Sequence, residues 1–97
     1  MKLRNYEIVN INEVLNDLAN QPLAGRFKFK LYKQIMAIKN PIEVIFKAFE
    51  GLSEEEIEEL SQETQEVNLE YFTYAELEDL PLSALQLMKI EKILKEE

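Results

Sequence analysis

The feature that most constrains the fold is an apolar stripe of helical spacing in the middle of the chain. Six apolar residues recur at intervals of 4, 3, 4, 3 and 4: Leu31, Ile35, Ile38, Ile42, Ile45 and Phe49. This spacing places all six on one face of an α-helix. At 1.5 Å per residue the helix would be about 28 Å long, so its apolar face needs a long partner surface.

The residues before this stripe alternate with a period of two. Cationic and apolar side chains alternate over residues 26–31. This alternation predicts a half-buried strand that leads into the helix. A second alternating segment, Glu66–Phe72, predicts the partner strand, with its glutamates opposite the lysines of the first. Lys2–Arg4 is a candidate for a third strand.

Pro41 leaves two alternatives open for the central helix. Asn40-Pro41-Ile42-Glu43 carries the signals of a helix start, which favours two abutting helices. The apolar stripe nevertheless keeps its phase across Pro41, which favours one kinked helix. We expect the single helix, closed by Gly51 just after its last apolar residue.

Start and stop signals predict the other helices. The first is predicted over Tyr6–Asn20, with Asn5 as its N-cap. Three capping boxes predict further starts, at Ser53, Thr73 and Ser83. The helix after Ser53 is expected to reach about Glu63, and the helix after Ser83 about Lys95. The fold class that follows is α+β: one domain, residues 1–97, with four to five helices packed on a two- or three-stranded sheet.

The residue types present exclude several classes of site. The chain of 97 residues has no Cys and no His, which excludes disulfides, thiolate nucleophiles and imidazole ligands or bases. No segment has the ~18 consecutive apolar residues of a membrane span, so we expect a soluble, cytoplasmic protein without membrane contact. No catalytic residue, metal site or cofactor is predicted, and we expect that the protein is not an enzyme.

Charge is distributed unevenly along the chain. The net charge is −8. Residues 1–48 contain eight cations and four carboxylates, whereas residues 49–88 contain twelve carboxylates and no cation. Such polarity favours oriented association with a charged partner.

Three charged patterns could in principle carry chemistry. The glutamates of 54–59 could bind a hard cation, but they lack an EF-hand pattern and fit a solvated helix start better. Glu43 and Glu50 could form an acid–base pair only inside a pocket, and an exposed helix edge is the simpler interpretation. The cations of 26–33 lie beside Phe27 and Phe29, as in some single-strand nucleic-acid sites, but the net negative charge makes nucleic acid an unlikely partner.

The last third of the chain carries a family resemblance. Val67–Leu80, VNLEYFTYAELEDL, followed by LSALQLMKIE from Leu82, resembles the end of a family of small, uncharacterised phage and prophage proteins of Gram-positive bacteria. The order of a short Asn/Leu-rich helix, a Phe-Lys-Phe-Lys segment and a long helix is also similar. The resemblance implies a phage-encoded accessory protein without known catalytic residues, acting in the host cytoplasm.

These observations together predict a non-enzymatic accessory or assembly protein that acts by binding another protein. The C-terminal helix has a wider apolar face than one contact requires, so it packs either centrally in the fold or against a partner. In the second case its outer side is the predicted binding surface: Leu87, Met88, Ile90 and Leu94. An acidic cluster, expected to steer a basic partner, comprises Glu54, Glu55, Glu58 and Glu59. A homo-oligomer formed through the same helix is an alternative partner arrangement. The alternative function is an acidic DNA mimic that inhibits a host nucleic-acid enzyme.

Overall fold

The packing of two long helices organises the fold. In a computed structural model, which describes residues 1–23 and 25–96, helix α1 (Asn5–Ala19) packs against helix α2 (Arg26–Phe49) more extensively than any other pair of elements does. α1 contributes five buried apolar side chains, at Ile8, Ile11, Val14, Leu15 and Leu18. The predicted first helix is therefore confirmed to within one residue at each end.

The start of α1 differs from the prediction at Asn5. Asn5 is a buried residue of the first turn, and the residue before the helix is Arg4, whose backbone N–H donates to Glu7 Oε1 at 2.8 Å. The Asn5 side chain instead donates to the carbonyl O of Leu60 at 2.8 Å and accepts from Gln65 Nε2 at 2.9 Å. Asn5 thus joins α1 to the end of the helix that follows Ser53 and to the residues just beyond it.

α2 begins five residues earlier than predicted, so the predicted strand over 26–31 is wrong. Gly25, at φ +72°, precedes the helix in the backbone region that favours glycine. On the helix, Phe27 and Leu31 turn toward the core, whereas Phe29 is exposed. α2 continues through Pro41 to Phe49, which confirms the single-helix alternative, and Gly51 follows its end at φ +74°, as predicted.

The strands form two separate two-stranded ladders. β1 (Lys2–Arg4) pairs antiparallel with β2 (Thr64–Glu66), which confirms the candidate strand at the start of the chain. β3 (Phe72–Thr73) pairs in parallel with β4 (Leu94–Lys95). The predicted strand Glu66–Phe72 is wrong as a continuous element, because only its two ends join ladders, with different partners.

The capping boxes mark the remaining helices. α3 (Glu54–Gln62), α4 (Tyr74–Leu77) and α5 (Ala84–Lys89) each follow a capping box led by the predicted residue. α5 is shorter than predicted, since a 3₁₀ turn (Glu91–Ile93) and then β4 replace its expected continuation to Lys95. Ile90 and Ile93, on the two sides of this break, are both fully buried.

The α+β class is confirmed, with five α-helices and two small ladders in the described part of the chain. Its core draws on the segments that follow α2 as well as on the two long helices, through Val67, Leu69, Phe72, Leu77 and Ile93. Over residues 1–23 and 25–96, none of the helices is long and apolar enough to cross a membrane.

Candidate protein-binding site

The outer side of α2 carries a second apolar stripe. Phe29, Tyr32 and Met36 are 69%, 60% and 49% exposed. Their spacing of 3 and 4 residues puts them on one face of the helix, about 10 Å long. Leu31 and Ile38, which are buried against the rest of the fold, lie on the opposite face. We call Phe29, Tyr32 and Met36 the outer stripe.

Cations flank the outer stripe. The basic border consists of four exposed side chains: Arg26, Lys28, Lys33 and Lys39. None of them forms an ion pair or hydrogen bond with another residue in the described ranges. The first carboxylate of α2 is Glu43, one turn beyond the border. The face is therefore apolar along its centre and positive at its edges, although the whole chain is negative.

Lys30 lies on the same helix, but it forms an ion pair within the fold. Its Nζ lies 2.8 Å from Glu76 Oε1. Burial raises the pKa of Glu76, but the hydrogen bonds from Lys30 and from the Thr73 backbone, together with the Lys30 charge, outweigh burial and hold that pKa below its ordinary value. Lys30 is thus neutralised internally, which distinguishes it from the basic border.

An apolar pocket adjoins the outer stripe. Its volume is about 190 Å³, and it lies where the end of α1 meets the start of α2. Leu18, Leu23, Leu31 and Ile35 supply apolar lining, and Tyr32 forms part of its wall. Tyr32 therefore joins the stripe to a concave site that could receive an aliphatic side chain.

The surface predicted on the C-terminal helix is not a single exposed face. Met88 is 67% exposed, but Ile90 is fully buried, so Ile90 is not available to a partner. Leu87 is half-buried, and Leu94 is half-buried within β4. Leu85, which the prediction left out, is 61% exposed beside Met88. α5 therefore exposes a small apolar area that consists of Leu85 and Met88.

The polar side of α5 is occupied by contacts with α1. Lys89 Nζ lies 3.0 Å from Glu13 Oε2, and Gln86 Nε2 donates to Asp17 Oδ2 at 3.1 Å. These contacts were not predicted. Gln86 and Lys89 lie about one helical turn apart, as do Glu13 and Asp17, and this spacing allows the two contacts. The spacing alone does not predict them, because it becomes specific only once the two helices are known to pack together.

The acidic cluster lies on α3. All four of its residues, Glu54, Glu55, Glu58 and Glu59, are exposed. Glu56 between them closes the capping box, and hydrogen bonds from the Ser53 backbone and side chain lower the pKa of Glu56. Over the described residues, no group of three or more metal-ligating side chains has the geometry of a metal site. The cluster is thus an exposed negative surface.

Two larger grooves contain few charged groups that lack a partner. An apolar groove of about 520 Å³ at α4 and α5 contains one carboxylate, Glu78. A second groove, of about 600 Å³, contains Lys30 and Glu76, which pair with each other, and Glu70, whose backbone and side chain bond Gln34. Glu43 and Glu50 are exposed, as the simpler interpretation expected.

Comparison with known proteins gives no guide to function: no protein-family model, curated protein or solved structure matches this chain. Its function is therefore inferred from its own surface.

Proposed function

We propose that this chain is a non-enzymatic protein-binding protein and that it binds through the outer stripe of α2. The observation that supports the proposal is the exposure of Phe29, Tyr32 and Met36 on three successive turns of one helix face. Single exposed apolar side chains are ordinary on protein surfaces, but a contiguous group is typical of interaction sites. Aromatic residues and Met are also the types enriched in protein interfaces.

The spacing of the outer stripe suits recognition by another helix. Positions i, i+3 and i+7, occupied here by Phe29, Tyr32 and Met36, are the usual anchors when one helix packs against another. α2 is held to the core along its opposite face, so the stripe is presented by a rigid element. A rigid surface loses little conformational entropy on binding, which favours affinity.

The resemblance to small phage and prophage proteins supports a narrower form of the proposal. In that form the chain is a phage-encoded accessory or assembly factor acting in the host cytoplasm. It would bring no catalytic group of its own and would act by occupying a surface of a phage or host protein.

The outer stripe can be tested by removing its two aromatic side chains. The double variant Phe29→Ser/Tyr32→Ser should retain its unfolding midpoint, because both side chains are exposed. Its capture of a specific protein from the native host, quantified by mass spectrometry, should fall by about tenfold or more. Leu85→Ser/Met88→Ser is the matched control, since it removes two equally exposed apolar side chains from α5. Equal capture by both variants and the unchanged chain would refute the proposal.

The second candidate function is the acidic DNA mimic, and the exposed carboxylates of α3 favour it. Two pairs of neighbours, Glu54/Glu55 and Glu58/Glu59, lie one turn apart and form no ion pair within the described ranges. A mimic should inhibit a DNA-binding enzyme in a manner that weakens as salt increases. Replacing all four residues by Gln should abolish that inhibition, and inhibition that survives the replacement would rule the mimic out.

A further inference from the structure

The charge around the outer stripe points to the chemistry of its partner. We propose that the outer stripe and the adjoining pocket bind an acidic amphipathic helix of another protein. This inference rests on the proposed function and adds the class of ligand. Its occupant would place apolar side chains along Phe29, Tyr32 and Met36, and carboxylates beside the basic border.

The basic border is complementary to such a helix. Residues 26–42 contain five cations and no carboxylate. Lys30 is the one that pairs inside the fold, with Glu76. The other four are exposed over about 20 Å of helix, roughly the length of four turns of a partner. Carboxylates at the edges of a bound helix would lie within reach of these cations and would form ion pairs with them. The cations make no such pairs with the described residues of the chain itself.

The pocket beside Tyr32 supplies an anchor point. It is lined mainly by aliphatic groups, including Leu23, Leu31 and Ile35, and Lys28 lies at its edge. An apolar anchor seated in a pocket and surrounded by a polar rim is a common arrangement at protein interfaces. Leu or Ile on the partner, with Glu one turn away, would satisfy both features together.

A nucleic acid fits this surface less well than an acidic helix. Phosphates could contact the border and a base could stack on Phe29. Met36 and the aliphatic side chains that line most of the pocket, however, offer neither a stacking face nor a phosphate contact. A second copy of this chain is also less favourable, because two copies of α2 would bring their basic borders together, and like charges repel. A basic partner was expected for the acidic cluster on α3, whereas the outer stripe has the opposite charge.

The test uses two designed helical peptides as probes. Both carry Leu at positions i, i+3, i+7 and i+10; one has Glu at the flanking positions, and the other has Lys there. Fluorescence anisotropy measures the binding of each to the unchanged chain, to Phe29→Ser/Tyr32→Ser and to Lys28→Glu/Lys33→Glu. Leu85→Ser/Met88→Ser is again the control. Binding of a single-stranded oligonucleotide tests the nucleic-acid alternative. Sedimentation of the chain alone tests whether a second copy binds.

We expect the Glu peptide to bind the unchanged chain at least about tenfold more tightly than the Lys peptide. Phe29→Ser/Tyr32→Ser should weaken binding of the Glu peptide by about tenfold, and the α5 control should leave that binding unchanged. The charge-reversed variant should reverse the preference and bind the Lys peptide more tightly. A loss of folding would weaken both peptides and could not produce this reversal.

Several results would overturn the inference. The first three are equal binding of the two peptides, no binding of the Glu peptide, and no reversal of the peptide preference by Lys28→Glu/Lys33→Glu. A fourth is binding of the oligonucleotide that is tighter than that of the Glu peptide and depends on Phe29 and Tyr32. A fifth is a dimer of the chain that dissociates in Phe29→Ser/Tyr32→Ser. Native-partner capture separates the two proposals. If capture requires Phe29 and Tyr32 but survives charge reversal, the stripe binds a protein and the acidic chemistry is wrong. If capture is unchanged in Phe29→Ser/Tyr32→Ser, the proposed function itself is wrong.

Discussion

Lys30 Nζ lies 2.8 Å from Glu76 Oε1 and so joins α2 to α4 across 46 residues of sequence. The same ammonium group donates to the carbonyl O of Tyr71 at 2.6 Å and lies 5.0 Å from the centre of the Phe72 ring. Glu76 in turn accepts the Thr73 backbone N–H at 2.8 Å. One lysine therefore holds the long helix to the segment that contains β3 and α4.

Glu76→Gln should destabilise the protein in a pH-dependent way. The pKa of Glu76 in the folded chain is below its ordinary value of 4.5, so ionised Glu76 stabilises the fold at pH values above 4.5. That contribution is lost as the pH falls through the folded pKa. We expect a cost of about 1–2 kcal/mol at pH 7, from urea unfolding, which shrinks toward zero in strongly acidic solution.

The control for this prediction is Glu78→Gln. Glu78 is exposed, and among the residues described it has no ion pair. Its replacement should change the free energy of unfolding by less than about 0.5 kcal/mol at either pH. A Glu76→Gln effect that is equally large at pH 7 and pH 3 would show that the lost contact is not electrostatic.

Phe27 and Phe29 should respond differently to truncation. The Phe27 ring centre lies 5.5 Å from that of Phe72, and the two planes are tilted by 43°. Phe27→Ala should cost about 2–3 kcal/mol, because it leaves a cavity against Phe72. Phe29→Ala should cost less than about 0.5 kcal/mol, because Phe29 is exposed. Similar losses at both positions would support the strand predicted over 26–31, on which both rings face the core.

The start of α2 shows why the local pattern was misread. On a strand, Phe27, Phe29 and Leu31 share one face, and on a helix Phe27 and Leu31 share a face that Phe29 does not. The sequence of 26–31 fits both periods, and six residues are too few to decide. The stripe from Leu31 onward is long enough to predict a helix correctly, and it could have been traced back to Phe27 by the same spacing.

The outer stripe was missed for the same reason. Assigning Phe29 to a strand that faces the core removed it from any surface. The C-terminal surface was overestimated for a different reason. Ile90 and Leu94 belong to a helical stripe only if α5 continues to Lys95, and tertiary packing ends the helix at Lys89. Pairing between Phe72 and Leu94 depends on contacts that no local pattern specifies.

Pro41→Ala should stabilise the protein. Pro41 lies inside α2 and cannot donate a backbone hydrogen bond to the carbonyl O of Ala37, the residue four positions earlier. Alanine restores that donor and removes the clash of the proline ring with the preceding turn. The greater flexibility of the unfolded chain offsets part of the gain. We expect a net increase of about 1–2 kcal/mol in urea unfolding, and a decrease would contradict a continuous helix through residue 41.

Gln34→Ala should destabilise the contact between α2 and the segment that precedes β3. Gln34 is 2% exposed, and its Oε1 accepts the backbone N–H of Glu70 at 2.9 Å. The alanine variant leaves that N–H without its partner and opens a cavity beside it. Together these effects should cost about 2–3 kcal/mol. Hydrogen exchange at the Glu70 amide should also accelerate, and unchanged exchange would show that Gln34 does not protect it.

Ile90→Asp should unfold the protein, whereas Met88→Asp should be tolerated. Ile90 is fully buried, and an aspartate there must either lose hydration as a charged group or bind a proton, at a cost of several kcal/mol. Met88, two residues earlier, is 67% exposed, so a carboxylate there remains solvated. Circular dichroism and thermal unfolding distinguish the two variants directly. If Ile90→Asp kept its helical content and melting temperature, α5 would not be seated on α1 as described, and the C-terminal segment would again be a candidate binding surface. A large loss in Met88→Asp would place that residue in the core and would contradict its exposed position on α5.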